Sequence, residues 1–434
     1  MKIAFVNQPA DRIIPPIQSS IGACTYGISR PLAQDCSVIV YGSTVRAHQD
    51  LGRDYYQDGV HFRFFPSTRY EKLLFKLWWR YARLVQLLNR GMKPPISTSS
   101  WIYPDFGKQV AADLRLQDCD VIHVQHCSQY LPAIRALNPT AKIVLHLHAE
   151  WFPQSNFNML AERLQHVDLV TTVSNHITEK TRHNFPQIAD RCETIYNGIE
   201  SSDFTREYDY NRSRNRPVKR ILYAGAVSPH KGVHILLEAF EMVVQQYPDV
   251  QLDIAGPLGS YPIEESFDLS DRAIVKRMAP FYVKNYAAHL RKNLPPTIAN
   301  KVSFLGLIPH SELPDYYYNT DVFVFPPVWN EGFGLPPVEA MAAGVPVVAS
   351  KAGATVETVL DGETGILVEK SNSFALAEAI LRLLKDDRLR ETMGRAGRRR
   401  ALQQFTWDKI ARTTFERYYQ LCEEKRSIFP LSRV

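Results

Sequence analysis

Two doubly wound α/β domains, each built on a parallel sheet, are the fold class that this sequence predicts, and three observations carry it. The chain has 434 residues, too many for one ordinary core and suited to two α/β halves. Short apolar runs alternate with helical stretches through both halves, the pattern of repeated βαβ units. In two places a strand runs into a glycine turn that opens a helix, the construction with which open parallel sheets form a ligand-binding edge.

Reading in order, the first half carries strands near Lys2 to Asn7, Ser37 to Tyr41, Val121 to Gln125, Ile143 to His148 and Leu169 to Val173. The start, MKIAFVNQ, reads as the first of these strands and not as a signal peptide. No apolar run approaches the roughly 20 residues that a spanning helix needs, so a cytoplasmic location is the default expectation. The Asp118-Cys119-Asp120 triplet could be a metal-binding D-x-D, but it fits better as a helix cap leading into the strand at Val121. The second half opens after a polar, arginine-rich segment, Thr205 to Lys219. Its strands fall at Ile221 to Tyr223, Gln251 to Ala255, Val302 to Leu305, Val322 to Phe325 and Val345 to Ala349. Phe405 to Glu424 reads as one closing helix. The expected division is therefore a first domain over 1–204, a second over 205–404 and a terminal helical segment over 405–434.

Composition bounds the function. Hydrophobic content of 45% and charge of 22% are those of a soluble globular protein. The net charge of +6 favours phosphate-bearing ligands or an anionic surface slightly and is too diffuse to argue for nucleic acid. The six cysteines show no C-x-x-C and no metal-ligand spacing, so they read as reduced thiols.

The most informative stretch is FVFPPVWNEGFGLPPVEAMAAGVPVVAS, from Phe323 to Ser350. The strand stops at a Pro-Pro and turns into a loop carrying Glu331. Gly332 and Gly334 allow close approach of the backbone to a ligand, and Pro336 and Pro337 suit the first turn of a helix. Gly344 suits its far end, with Glu339 about two turns in. A helix start of this kind offers N–H donors to a diphosphate, and the two carboxylates are acceptors suited to sugar and ribose hydroxyls. The second such unit is LYAGAVSPHKGVHILLEAF, Leu222 to Phe240, with Lys231 at its turn. A lysine there can neutralise the charge that grows on a departing diphosphate.

On the residues EGFGLPPVE the sequence resembles the retaining glycosyltransferases of family 4, which have the GT-B fold of two Rossmann-like domains facing across a cleft. The resemblance covers nearly the whole chain and is most specific from Leu222 to Glu339. It implies a metal-independent transfer of a hexosyl unit from a nucleoside-diphosphate sugar, with no further cofactor. Glu331 would contact donor-sugar hydroxyls, Glu339 would hold the ribose, and the backbone around Phe333, Gly334 and Leu335 would meet sugar and phosphate. FLGLIPH places the backbone near Ile308 beside the base. TVSNHITEKTR and IYNGIESSDF bring Ser174 and Asn197 near the cleft, with capping and turn formation as the competing explanation. In LHLHAEWF it is His148 that matches the family's cleft histidine, while His146 reads as a supporting residue. The first loop, holding Gly22, is where the acceptor side begins, and the C-terminal helix would brace the N-terminal domain.

One departure stands out. After the glycine matched by Gly225 the family usually has an arginine, and here stands Ala226, which removes a bidentate phosphate donor. Lys231 with backbone groups, His230 as a second cation, or weakened catalysis are the three readings of that change. A sugar-nucleotide epimerase or hydrolase, or a binding protein that has lost catalysis, are the alternative functions. A nicotinamide dehydrogenase is disfavoured because no G-x-G-x-x-G follows the first strand. Finally, Thr68 to Arg90 sets Lys72, Lys76, Arg80 and Arg83 near one helical face among Leu, Trp and Phe, which suits either packing on its own domain or an anionic membrane surface.

Overall fold

The computed structural model describes residues 1–423 except 17, 45–50, 67, 69, 72, 74–76, 78–102, 152–154, 260–262, 264–265 and 284. Lys72, Lys76, Arg80 and Arg83 lie outside the described residues, and so does the membrane question attached to them. Among the described residues no helix is long and apolar enough to cross a membrane.

The chain divides into two compact units, Met1–Gly198 with Trp407–Val434, and Ile199–Thr406. In the first, eight strands form one sheet: β1 (Lys2–Val6), β2 (Ser37–Ser43), β3 (Asp54–Gln57), β4 (Val60–Phe65), β5 (Val121–Gln125), β6 (Lys142–Leu147), β7 (Leu169–Thr172) and β8 (Cys192–Thr194). Their spatial order is β3-β4-β2-β1-β5-β6-β7-β8. All neighbours pair in parallel except β3 with β4. Ile3, Ala4, Phe5 and Val6 are entirely buried, because helices cover both faces of a doubly wound sheet and leave no polar side. Three of these strands were absent from the sequence reading. β3 and β4 form a hairpin through Asp58-Gly59, both at positive φ, while β8 is only three residues long.

The terminal helix, Trp407–Glu423, belongs to this first unit. Its Trp407 ring fills the space beside Gly27 and Gly198, where an added Cβ would stand 2.3 and 2.8 Å from the indole. Tyr418 hydrogen-bonds His123 on β5, and Arg417 holds Glu193 on β8 at 2.8 Å. The structure starts this helix two residues later than the sequence reading, at Trp407.

The second unit has six parallel strands: β9 (Lys219–Ala224), β10 (Val250–Ala255), β11 (Val302–Gly306), β12 (Val322–Phe325), β13 (Val347–Ser350) and β14 (Gly365–Val368). Their order is β11-β10-β9-β12-β13-β14. The order reverses between β9 and β12, and that switch point is where doubly wound sheets bind ligands, outside the carboxyl ends of the strands. β13 begins at Val347 and not at Val345, since Pro346 has no N–H to give to the ladder. Two helices of this unit, Ser373–Lys385 and Asp387–Gln404, start at the side-chain caps Asn372 and Asp386.

Candidate active site

Lys231 and Glu331 follow the two strands that flank the switch point of the second unit, β9 and β12. Although 100 residues apart in sequence, their Nζ and Oε2 atoms are 2.6 Å apart. Both side chains are largely shielded, at 16% and 11% exposure. The ammonium also lies 4.8 Å from the Trp329 ring centroid and 5.7 Å from that of Phe325, so its charge sits over two aromatic faces.

The backbone explains the placement. Gly232, at φ +75°, carries the chain from the Lys231 turn into the helix Val233–Gln246. A Cβ at this position would stand 1.9 Å from the Pro326 carbonyl oxygen, so only glycine allows the two loops to approach. Glu331 is fastened on its other side: its N–H donates to the Ala352 carbonyl, and its carbonyl accepts from Ala354 N–H at 2.9 Å. Gly353 lies directly against it, with space for a Cβ only 2.5 Å from the Glu331 oxygen.

Glu339 lies in the helix Leu335–Ala342 as its fifth residue, little more than one turn from the start and not two. It is buried, and both its oxygens are engaged. His310 Nε2 is 2.8 Å from Oε1, and Tyr317 donates its hydroxyl to Oε2 at 2.7 Å. The Glu339 charge and the hydrogen bond to it raise the His310 imidazole to about 9, against the opposing effect of burial. Burial alone would raise the Glu339 carboxyl, but the His310 charge and the bonds from His310 and Tyr317 outweigh it and hold the group below its ordinary value. At neutral pH this is an imidazolium–carboxylate pair.

Gly334, at φ +86°, caps the start of the same helix. Pro336 and Pro337 carry no N–H, so the donors at this helix start are those of Gly334 and Leu335, fewer than a helix start ordinarily provides. Phe333 is buried, and its ring stands edge-on to Phe405 at 5.6 Å. Gly225 follows β9 at φ +147°, and Gly256 follows β10 in the same conformation. The Gly225 carbonyl oxygen would be 1.8 Å from a Cβ on Gly256. Ile308 follows β11 and is buried beside the exposed Leu307.

His230 is not the second cation offered in place of the missing arginine. It is almost wholly buried, and burial, aided by the charge of Lys231, holds its imidazole well below the usual value. Its ring nitrogens lie 3.3 Å from the Ser228 hydroxyl and 3.4 Å from that of Ser266, and its carbonyl accepts from Val328 N–H. A neutral, tethered imidazole is scaffold.

The remaining predicted residues belong to the first unit. His148 is held through Nε2 to Gln125 Oε1 at 2.7 Å, and its N–H donates to His126 Nδ1. Burial, with the neighbouring charges of His126 and His123, keeps His148 neutral. Asn197, Gln125, His146 and His148 share the lining of a cavity of about 20 Å³ with Trp407 and Thr414 of the terminal helix, room for about one water. The His146 and His148 rings meet edge-on at 4.7 Å, but His146 is engaged by Thr171. No group of three or more His, Cys, Asp or Glu among the described residues is arranged to hold a metal ion. Ser174 is fully buried, and its hydroxyl caps the helix Asn175–Asn184 by accepting from Ile177 N–H. Gly22 lies in the first turn of the helix Ser20–Leu32, where a Cβ would be 2.0 Å from the Arg12 carbonyl oxygen. The glycine therefore lets the first loop close onto this helix. Asp118, at positive φ, ends the helix Pro104–Gln117, and Asp120 accepts from Lys2 N–H, so the D-x-D triplet is structural. Trp329, His310, Tyr317 and Gln125 were not singled out by sequence; each matters through contacts that no local spacing announces.

Known proteins match this chain in sequence and in fold. The family model described as "Glycosyl transferases group 1" matches residues 207–400, and the one described as "Glycosyltransferase Family 4" matches residues 88–203. Sucrose-phosphate synthase from Thermosynechococcus elongatus superposes with a TM-score of 0.71 at 21% identity, covering 97% of this chain and 98% of that one. The chain therefore has the GT-B fold, and glycosyltransferase family models match parts of both its units. A second GT-B structure, Anabaena HepE in complex with UDP and glucose, superposes at a TM-score of 0.67 and 22% identity over 97% of this chain and 100% of its own. Among curated relatives, the putative glycosyltransferase YtcC of Bacillus subtilis is 29% identical, over 75% of this chain and 78% of its own length. The capsular polysaccharide biosynthesis glycosyltransferase CapM of Staphylococcus aureus is 33% identical over 49% of this chain and 51% of its own. In this GT-B chain, the group 1 match spans Lys231, Glu331 and Glu339.

Proposed function

We propose that the protein is a retaining, metal-independent glycosyltransferase of family 4 that moves a hexosyl unit from a nucleoside-diphosphate sugar to an acceptor hydroxyl in the cytoplasm. The observation that carries this reading is the Lys231–Glu331 pair at the switch point of the second unit, with Glu339 in the helix that follows. A cation and a carboxylate are set side by side where a sugar diphosphate would lie. Lys231 neutralises the departing diphosphate. Glu331 accepts from donor-sugar hydroxyls, Glu339 from the ribose, and the N–H groups at Gly334 and Leu335 meet phosphate. The sugar–phosphate bond breaks as the new bond to the acceptor oxygen forms on the same face, and the acceptor proton passes to the leaving phosphate oxygen. No further cofactor takes part. His148 and Asn197 serve the donor sugar, and the first loop, which closes onto the helix at Gly22, serves the acceptor. One neighbour of the same fold, HepE, has been solved with UDP and with UDP-glucose, which favours a nucleotide-sugar donor.

The test is release of nucleoside diphosphate from a panel of UDP-, GDP- and ADP-sugars by the purified protein, with Glu331→Ala as control. Release that depends on one donor and on Glu331 supports the reading. Donor binding without release, with acceptor extracts present, would instead favour a chain impaired by Ala226 in place of the arginine.

A further inference from the structure

Glu331 receives two donors, and both reach the same oxygen. Lys231 Nζ stands 2.6 Å from Oε2 and Trp329 Nε1 3.0 Å from it, while Oε1 accepts no hydrogen bond from any described residue. The indole is itself fixed. Its backbone N–H and that of Val328 point to the His230 carbonyl, and its ring packs against the buried His230 ring at 4.5 Å between centroids. The tethered, neutral His230 thus serves as the wall that orients Trp329.

We infer that Trp329 is a positioning residue that holds Glu331 in place once Lys231 has turned to the diphosphate. This rests on the donor-site reading above. Lys231 has one ammonium and two anionic claimants, the Glu331 carboxylate and the leaving diphosphate. As it serves the diphosphate, Glu331 loses its cation while still largely buried, and a carboxylate left without a donor in such a place moves or takes up a proton. The Trp329 N–H is fixed by its own backbone and by His230, so it stays on Oε2 and leaves Oε1 directed at the sugar. It is a neutral donor, so it fixes the carboxylate without competing with the diphosphate for charge.

The experiment compares wild type with Trp329→Phe, which keeps an aromatic face for Lys231 and removes the indole N–H along with part of the ring, a packing loss that the melting temperature reads separately. The readouts are kcat and KM for whichever UDP-, GDP- or ADP-sugar the wild type turns over, the Kd for the matching nucleoside diphosphate, and the melting temperature. Loss of one hydrogen bond to a charged group predicts a fall in kcat of about 10- to 100-fold, with the nucleoside-diphosphate Kd within about twofold of wild type. Trp329→His, which can present a ring N–H, should recover part of the loss. Wild-type kcat in Trp329→Phe overturns the inference, as does a loss of nucleoside-diphosphate affinity that matches the loss of kcat. A wild type that binds a donor but releases no nucleoside diphosphate from it overturns the inference alone, and one that binds no donor refutes the donor-site reading as well.

Discussion

His310 Nε2 lies 2.8 Å from Glu339 Oε1, and Tyr317 closes the other side of the same carboxylate. Glu339 is thus held by a cation and a phenol before any ribose arrives. A carboxylate has about four lone-pair sites, so each oxygen can accept one more hydroxyl without releasing its partner. This pair predicts a pH signature. His310 is raised to about 9 from an ordinary value of 6.5, so its stabilisation is complete below the unfolded value and is lost as pH rises through about 9. Glu339 is lowered, so its share is present above the ordinary carboxylate range and fades as pH falls through it. The imidazole is 44% exposed, and after discounting for solvent screening the alkaline loss should be at most about 1 kcal/mol. Melting curves of wild type and His310→Gln from pH 6 to 10 check it: the two should converge toward the alkaline end.

Glu331→Ala should abolish transfer while leaving nucleoside-diphosphate affinity largely intact, whereas Lys231→Ala should damage both. The distinction follows from their assigned partners, sugar for one and phosphate for the other. Calorimetric titration with the nucleoside diphosphate, set beside turnover, separates them. Wild-type turnover from the Glu331 variant would remove that residue from the site.

Gly353→Ala places a methyl 2.5 Å from the Glu331 carbonyl oxygen at a residue with φ +57°. Overpacking of this kind costs about 1–3 kcal/mol, and here the strain falls on the backbone that aims Glu331. Turnover should therefore drop more than tenfold while the protein remains folded at room temperature, as read by kinetics beside circular dichroism.

Gln125→Glu would bring a carboxylate to the nitrogen of His148 that Gln125 now holds at 2.7 Å. An adjacent anion favours the imidazolium, so His148 should titrate at a higher pH than in wild type. Nitrogen-detected NMR of the histidine rings reads the shift directly. An unchanged titration would show that Gln125 does not contact His148 in solution.

The parallel strands buried on both faces were legible because they leave near-continuous apolar runs; Val121–Gln125 and Val322–Phe325 were read to the residue. The strand Asp54–Gln57 alternates exposed and half-buried residues, so no apolar run marks it, although Asp58-Gly59 between two strands was a readable hairpin turn. At the site, Glu331, Glu339 and Lys231 stood out because a glycine-rich turn sits beside each motif. Sequence left His230 open as one of three readings because an imidazole's charge depends on burial, which sequence does not display. Tyr317 and His310 meet Glu339 from another loop and helix, and no spacing within their own segment points to it.

The terminal helix gives the order of synthesis a structural meaning. The first unit needs Trp407 beside Gly27 and Gly198, yet the ribosome reaches that residue only after the whole second unit has been synthesised. The second unit is in effect an insertion within the first, and it can fold while its host still waits for its last piece. A chain arrested before residue 407 should therefore carry one finished unit and one with an open seam of apolar surface, a species for chaperones and proteases to find.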